Sequence, residues 1–595
     1  MKEELMTWDL SAIYADADAW EKDFAKLEEA GKAFYAYKGK LAESPAVLKS
    51  AIEASDAFDR LAEKVYTYAH LLSDENTTIS KNRSRVDRVC AKLASLAEFD
   101  SWFDPEIMAI PDDRMLELLN SPELAFYRRS LEELLRSKKH TLSEAEERLL
   151  GTLGDVLGTP DEIFSTLNDT DMEFGRLRDS KGELVELSHG SWGSFMEEPD
   201  RKVRKKAFHQ LYRQYRKHRN SLAATLDGTV KRHVAMAKIR HFDSPLQAAL
   251  FSENIPENIY TGLISAVRKN LPALFSYFEL RKDLLGVKDL DMYDLYAPLL
   301  PECEKKCSFA EASELVKKSL APLGNEYTDL LENAWQQRWI DAPCRKGKRS
   351  GAYSGGCYDT YPYVLMSYNN KLSDAFTLAH ELGHSMHSAF SRQSQHFHYA
   401  SYEIFVAEVA STCNELLLSR YLLDNERDPK VKALIYARLA DDIRATVYRQ
   451  TMFAEFEKLI HEDSANGIPL TADHLCERYY TLNADYHGFI NADNDIELEW
   501  SRIPHFYYNF YVYKYATGMA AALKLSRGIL SGDAGARKRY LEFLKAGSSK
   551  DVLDILKDAG ADLTTSEPVD EALTFFREII DELRNLLFFL RKKEK

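Results

Sequence analysis

Apolar residues recur every three to four positions along most of the chain, the spacing that lays one hydrophobic stripe along a helix. Residues 18–37, 45–73, 81–99 and 122–138 read this way, and similar patterns continue to the end. Alternation at period two is rare. It occurs at 172–188, MEFGRLRDSKGELVELS, about a Ser-Lys-Gly turn, and predicts a hairpin. A second strand signal lies at 353–368, where Tyr361, Tyr363, Val364, Leu365 and Met366 follow a Gly355-Gly356 turn. The last helical stretch, 570–593, holds the run Leu586, Leu587, Phe588, Phe589 and Leu590. That run is far shorter than the ~20 residues of a membrane span, so packing onto the body is expected. The pattern predicts a mainly α fold with a small β-sheet. Without a solenoid repeat or low-complexity linker to mark domains, a boundary is placed after the hairpin, giving 1–195 as an N-terminal helical domain and 196–595 as a second one.

Bulk properties narrow the class. With 595 residues, 45% of them hydrophobic, the chain builds substantial cores. The net charge is −16 and basic residues are dispersed, which argues against a nucleic-acid partner. No apolar segment follows the first charges, so neither a cleaved secretion signal nor a membrane partner is expected. Seven scattered cysteines form no disulfide framework and suit a reducing cytoplasm. Cys303 and Cys307 lack a second Cys/His pair and read as loop residues. A local basic turn, Arg345, Lys346, Lys348 and Arg349, reads as a solvated charge run, with capture of a peptide carboxylate as the alternative.

The chemistry centres on His380-Glu381-Leu382-Gly383-His384. Two histidines at i and i+4 share a helix face and reach one cation, while Glu381, one step round, suits a base that deprotonates water at the metal. By chance alone an HExxH somewhere in such a chain has odds of roughly a few per cent. Context strengthens the signal, because Ser373 and Asp374 supply a helix start and Ala375, Phe376, Leu378, Ala379, Leu382, Met386 and Phe390 its apolar side.

A catalytic zinc takes three protein ligands, so one more must come from elsewhere. His387 and Phe390 stand where a metzincin has Gly and His, which excludes that class. Residues 401–423 read as a second helix. Glu408 lies in its apolar first half, where a carboxylate is costly unless compensated. Glu403 and Glu415 are rivals, and Glu415, two turns beyond Glu408, suits a hydrogen bond to a ligand imidazole.

Two further segments have possible roles. An edge strand at 362–368 would take a peptide as an added strand, with Tyr363 and the Gly355-Gly356 turn as substrate-binding candidates; an ordinary sheet strand is the alternative. The segment from His505 to Tyr515 is dense in tyrosine, and Pro504 suits the first turn of a helix there. On one helix Tyr508, Tyr511 and Tyr515 share a face, with Tyr507 and Tyr513 elsewhere. Such a stripe is usually core, yet tyrosine and histidine also donate to the oxyanion of peptide hydrolysis.

HELGHSMH followed by FVAEVASTCNE resembles the oligoendopeptidase F group of the thimet oligopeptidase-like zinc metallopeptidases. TWDLSAIYADADAW, LFSENIPENIY, GKRSGAYSGGCY and IPHFYYNFYVYKYATG extend the resemblance over nearly the whole chain. It implies a helical metallopeptidase with a deep channel for short unstructured peptides, one zinc ion held by His380, His384 and Glu408, and Glu415 behind the ligands. It also implies that His505, Tyr508 and Tyr515 face the reaction. The resulting expectation is a zinc-dependent oligoendopeptidase in which Glu381 activates water. A zinc carboxypeptidase of similar build would need a dedicated group for the terminal carboxylate, and a non-catalytic peptide-binding protein would not need every chemical group present here.

Overall fold

Several of the long helices begin where the sequence supplies an acceptor or a proline for the first turn. In α1 (Ala17–Tyr35) Asp16 accepts the Ala19 N–H, and in α2 (Pro45–Glu75) Ser44 accepts that of Val47 ahead of Pro45. The computed structural model describes residues 7–300, 305–488 and 494–593, so residues 1–6 and Cys303 lie outside the described residues. Along the chain follow α3 (Ser80–Leu96), the antiparallel hairpin β1 (Arg176–Arg178) and β2 (Leu184–Glu186), and α4 (Arg201–Ile239). Next come β3 (Ile340–Pro343), β4 (Tyr353–Gly355), β5 (Tyr363–Tyr368), α5 (Leu372–Ser394) and α6 (Ile404–Asn425). The elements used below end with α7 (Arg449–Ala465), α8 (Tyr513–Leu530) and α9 (Glu567–Lys593). The mainly helical fold and the hairpin match the sequence pattern. The stretch 122–138 instead breaks into a 3-10 turn, Pro122–Leu124, and a helix, Arg128–Arg136. No described helix is long and apolar enough to cross a membrane.

The chain forms two compact units, each from three segments. One comprises Met1–Lys139, Lys305–Leu418 and Leu525–Gly560; the other comprises His140–Glu304, Ser419–Lys524 and Ala561–Lys595. Position 195 falls inside the second unit. In the first, Tyr363 and Leu365 of β5 are buried in the same cluster as Trp20, Val65 and Tyr68 of the N-terminal helices, which ties residues distant in sequence into one core.

The first unit's sheet has the order β3-β5-β4, with β3 parallel and β4 antiparallel to β5. The strand expected at an edge is therefore central. Ile340 and Ser354 both pair with Val364, and Tyr363 is buried with its hydroxyl donating to the Asp9 carbonyl at 2.8 Å. Tyr363 itself pairs with Gly355 of β4, so the backbone of this strand is engaged by its neighbours within the sheet. The outer strands are β3 and β4.

The basic turn also differs from expectation, because it is internal wiring. Asp341 is fully buried and receives Arg345 through two bonds of 2.7 Å and the Lys348 ammonium at 2.6 Å. Lys348, itself buried, also donates to the carbonyls of Pro343 and Met366, and Arg349 pairs with Asp74 at 3.1 Å. A buried carboxylate holding two cations locks the end of β3 to β5.

Helices α5 and α6 approach closely at Gly383. A β-carbon there would stand 2.5 Å from the Ser411 Cα and 2.8 Å from the Ala410 carbonyl oxygen. Asn414 reinforces the contact, donating to the Ala379 carbonyl at 3.1 Å and accepting from the Tyr327 hydroxyl at 3.0 Å.

The second unit holds the tyrosine segment, which is not one helix. A 3-10 turn, Pro504–Tyr507, ends at Tyr508, and Asn509 and Phe510 take φ of 51° and 61° before α8 begins. Left-handed geometry at a phenylalanine costs about 1–2 kcal/mol, and buried contacts offset it. Phe510 is buried against His461 and Tyr260, and its N–H donates to Glu457 on α7 at 2.5 Å. Burial pushes the Glu457 carboxyl up to about 8, with the Phe510 N–H opposing that rise.

Replacing Gly383 by Ala forces the crossing apart and should destabilise by about 1–3 kcal/mol in urea unfolding. Gly262→Ala is the control, since that exposed helical glycine has open space around its β position, and the change should be neutral or stabilising by up to about 1 kcal/mol.

A second outcome concerns Glu457. Its folded proton affinity exceeds the ordinary value of 4.5, so its contribution is fully present below about pH 4.5 and is lost as pH rises through about 8. Glu457→Gln keeps an acceptor for Phe510 and should flatten this part of the stability–pH curve, removing a decline on the order of a few kcal/mol. Denaturant titrations from pH 5 to 9 measure the difference; identical curves would mean that Glu457 is ionised throughout.

Candidate metal centre

Side chains from α5 and α6 converge in the first unit. His380 and His384 are one turn apart on α5, with their Nε2 atoms 3.2 Å from each other. Glu408 of α6 places Oε2 3.4 Å from the first and 3.7 Å from the second. A tetrahedral zinc with bonds of roughly 2.0–2.2 Å spaces its ligand atoms roughly 3.3–3.6 Å apart, so this triangle fits one cation with little movement. Among the described residues it is the group of His, Cys, Asp and Glu side chains able to hold a metal ion in this way.

Neighbours set the chemistry of each group. The Nδ1–H of His380 donates to Glu415 at 2.8 Å, so in the neutral ring the Nε2 lone pair faces the centre; burial lowers its proton affinity, but Glu415, with Glu381 and Glu408, outweighs that and raises it. Burial and the adjacent His380 hold His384 down to about 4, so its imidazole is neutral at physiological pH, the form a metal needs. Glu408 is steadied by the Ser411 hydroxyl, which donates to Oε2 at 3.1 Å. Glu381 is buried beside the histidines. Desolvation pushes its carboxyl up to about 7; His380 opposes this, Glu408 and Glu415 add to it, and the Ser354 N–H of β4 favours the ionised form.

The residues singled out in the sequence fall into three groups. His380, His384, Glu408, Glu415 and Glu381 come together. Glu403 lies exposed before α6 begins and is absent from the cluster. Gly355 sits on β4, and Gly356, at φ 154° with the Tyr361 carbonyl oxygen 2.6 Å from where a β-carbon would stand, is a glycine because of the turn itself. His387 is buried and stacks on Tyr402 with ring centroids 3.7 Å apart.

In the second unit, the backbone reversal at Asn509-Phe510 gathers the aromatic groups that a straight helix was expected to align. The His505 ring lies 5.6, 6.3 and 5.9 Å from those of Tyr508, Tyr511 and Tyr515, and the Tyr515 hydroxyl is 3.4 Å from His505 Nε2. Burial, then Arg449, lowers the proton affinity of His505. Tyr508 is 57% exposed, whereas Tyr507 and Tyr513 are buried, Tyr507 bonded to Thr225 at 2.9 Å. Sequence reasoning missed Ser354, Ser411 and the crossing glycine. Only the last had a signal, a small residue between the two histidines.

Comparison with known proteins places this arrangement. The sequence pattern of peptidase family M3 matches residues 194–575, and that of oligopeptidase F matches 106–174. The chain is 42% identical to the oligopeptidase PepF of Bacillus subtilis over 588 residues, covering 98% of this chain and 88% of that one. It is 39% identical to the group B oligopeptidase PepB of Streptococcus agalactiae over 587 residues, 98% of each chain. The crystal structure of oligoendopeptidase-F from Enterococcus faecium superposes with a TM-score of 0.74 at 36% identity, over 95% of this chain and 98% of that one. A two-histidine, one-glutamate centre on crossed helices and a match along most of the sequence lead to one conclusion: the chain belongs to peptidase family M3 and is a metallopeptidase.

Proposed function

We propose that the protein is a zinc-dependent endopeptidase that hydrolyses internal bonds of short, unstructured oligopeptides in the cytoplasm. The observation carrying this is the triangle of ligand atoms, 3.2, 3.4 and 3.7 Å on its sides, with the Glu381 carboxyl buried beside it. The names of the relatives, oligopeptidase and oligoendopeptidase, agree with it.

In this reading His380 and His384 offer Nε2 and Glu408 one oxygen, while Glu415 fixes the His380 ring. A zinc ion bound there supplies a Lewis acid that polarises the scissile carbonyl and favours deprotonation of water near neutral pH. Glu381 takes the proton of the attacking water and passes it to the leaving amine. A carboxyl raised by burial suits a group that must both accept and release a proton near neutrality. His505 and Tyr515, with Tyr508 as the more exposed candidate, donate to the oxyanion as the carbonyl becomes tetrahedral. The outer strand β4, with Gly355, is the edge to which a peptide main chain adds.

An internally quenched peptide blocked at both ends, assayed together with metal content, tests the whole. Cleavage with about one zinc per chain is expected. A carboxypeptidase would leave the blocked peptide intact, and a non-catalytic binder would hold it uncut.

Three variants divide the roles. Glu408→Ala should lose zinc while Glu415→Ala keeps most of it; the reverse pattern in metal analysis would overturn the ligand assignment. Glu381→Gln should retain the metal and lose about 10²–10⁴-fold in turnover. Tyr515→Phe should lower kcat by about 10²-fold with little change in KM, Tyr508→Phe less, and the buried Tyr513→Phe hardly at all. Wild-type kcat in all three tyrosine variants would leave the oxyanion to His505.

A further inference from the structure

The second unit contains a cluster of guanidinium groups in excess of their counter-charges. Arg449 and Arg502 share the buried carboxylate of Glu499, at 2.7 and 2.8 Å, and Tyr479 donates to its other oxygen. Arg281 and Arg444 share Asp441, at 3.2 and 3.1 Å. This sets four cations against two carboxylates. The excess is not at the surface: Arg281 is 0% and Arg444 4% exposed. A buried net charge is expensive unless something neutralises it.

Three of these arginines, 444, 449 and 502, line a small cavity that Glu499 also lines. Its free volume, measured as the space open to the centre of a water-sized particle, is ≈ 20 Å³, so it admits only a small group. The Arg444 hydrogen bond to Asp441 uses Nε, and among the described residues no hydrogen bond is made by its two terminal nitrogens. Tyr296 forms part of the wall, with Arg444 lying 5.0 Å above its ring. Tyr296 is 36% exposed; desolvation of its phenol would raise the group, but Arg449 and Arg444 outweigh it and hold it below its ordinary value, as expected where the potential is positive.

We propose that this cavity is a binding site for one small monoanionic group, a carboxylate or a halide, held by Arg444, Arg449 and the Tyr296 hydroxyl. Glu499 leaves the site selective for a single charge, because it already neutralises part of the arginine pair beside it. Two sources supply such a group: a free anion from solution, or the terminal carboxylate of a peptide. The site itself does not depend on the zinc-endopeptidase reading; only the peptide source does.

The test uses the full-length protein at constant ionic strength, with sodium Hepes as the bulky reference salt replaced stepwise by sodium chloride or sodium acetate. Binding to the folded state predicts a saturable rise in Tm of about 2–4 °C. Arg444→Gln should abolish it, and Tyr296→Phe, which keeps the ring, should shift its midpoint about tenfold; Arg444→Lys should restore part. Trp192 lines the same cavity and gives a fluorescence readout independent of activity. Matched peptides ending in a free acid or an amide distinguish the sources. A KM raised about tenfold for the amide, with chloride competing against the acid, assigns the site to the substrate terminus. Equal KM values with the Tm response intact assign it to a free anion. The proposal is overturned if wild-type protein shows no saturable response to either salt, or if Tyr296→Phe and Arg444→Gln leave the response unchanged.

Discussion

The contact between α5 and α6 at Gly383 is the constraint on which the candidate site depends. With no β-carbon, Gly383 lets the α6 backbone come within van der Waals distance of α5, and that separation sets what each side chain can reach. Glu408 then stands opposite the two histidines and Glu415 reaches the far nitrogen of His380. A wider separation would carry the second helix's carboxylates away from the histidines on the first. The same approach gathers Glu381, Glu408 and Glu415 in a partly buried space where they repel one another, an arrangement that a divalent cation relieves.

Buried charge is handled in two ways. At Asp341 the balance is closed: Arg345 meets Asp341 and Glu75, the Lys348 ammonium meets Asp341, and Arg349 meets Asp74. The result is a rigid connection between β3 and β5 next to the strand that carries Ser354. Around Arg444 and Arg449 the balance is open, with donors facing a cavity. Closed networks of this kind are structural, and one with positive charge in excess beside a cavity has the electrostatic form of an anion site.

The tyrosine segment shows how a local pattern and a tertiary contact give similar ends by different routes. Helical spacing put Tyr508, Tyr511 and Tyr515 on one face; no single helix runs through them, yet their rings and that of His505 lie together. A buried glutamate 53 residues earlier captures the Phe510 N–H and fixes two left-handed residues, and the turned backbone brings the rings into contact. No spacing rule contains that glutamate, because Glu457 acts across space.

Much was decided by sequence alone, wherever the physics is local. Helical periodicity, the N-terminal caps, the hairpin about Ser-Lys-Gly and the two histidines on one helix face follow from contacts within a few residues, and HExxH with the downstream glutamates marked the metal centre. Tertiary structure decided what depends on partners distant in the chain. The strand at 363–368 became central rather than outer because Ile340 and Ser354 flank Val364. The basic turn became a partly buried network because Asp341 and Asp74 meet it, and the N-terminal helices joined residues 305–418 in one unit because β5 shares a core with them. Hydrophobic pattern tells a residue to be buried, but it does not name the neighbour, and the neighbour decides whether a strand is open, a charge is free or a carboxyl keeps its proton.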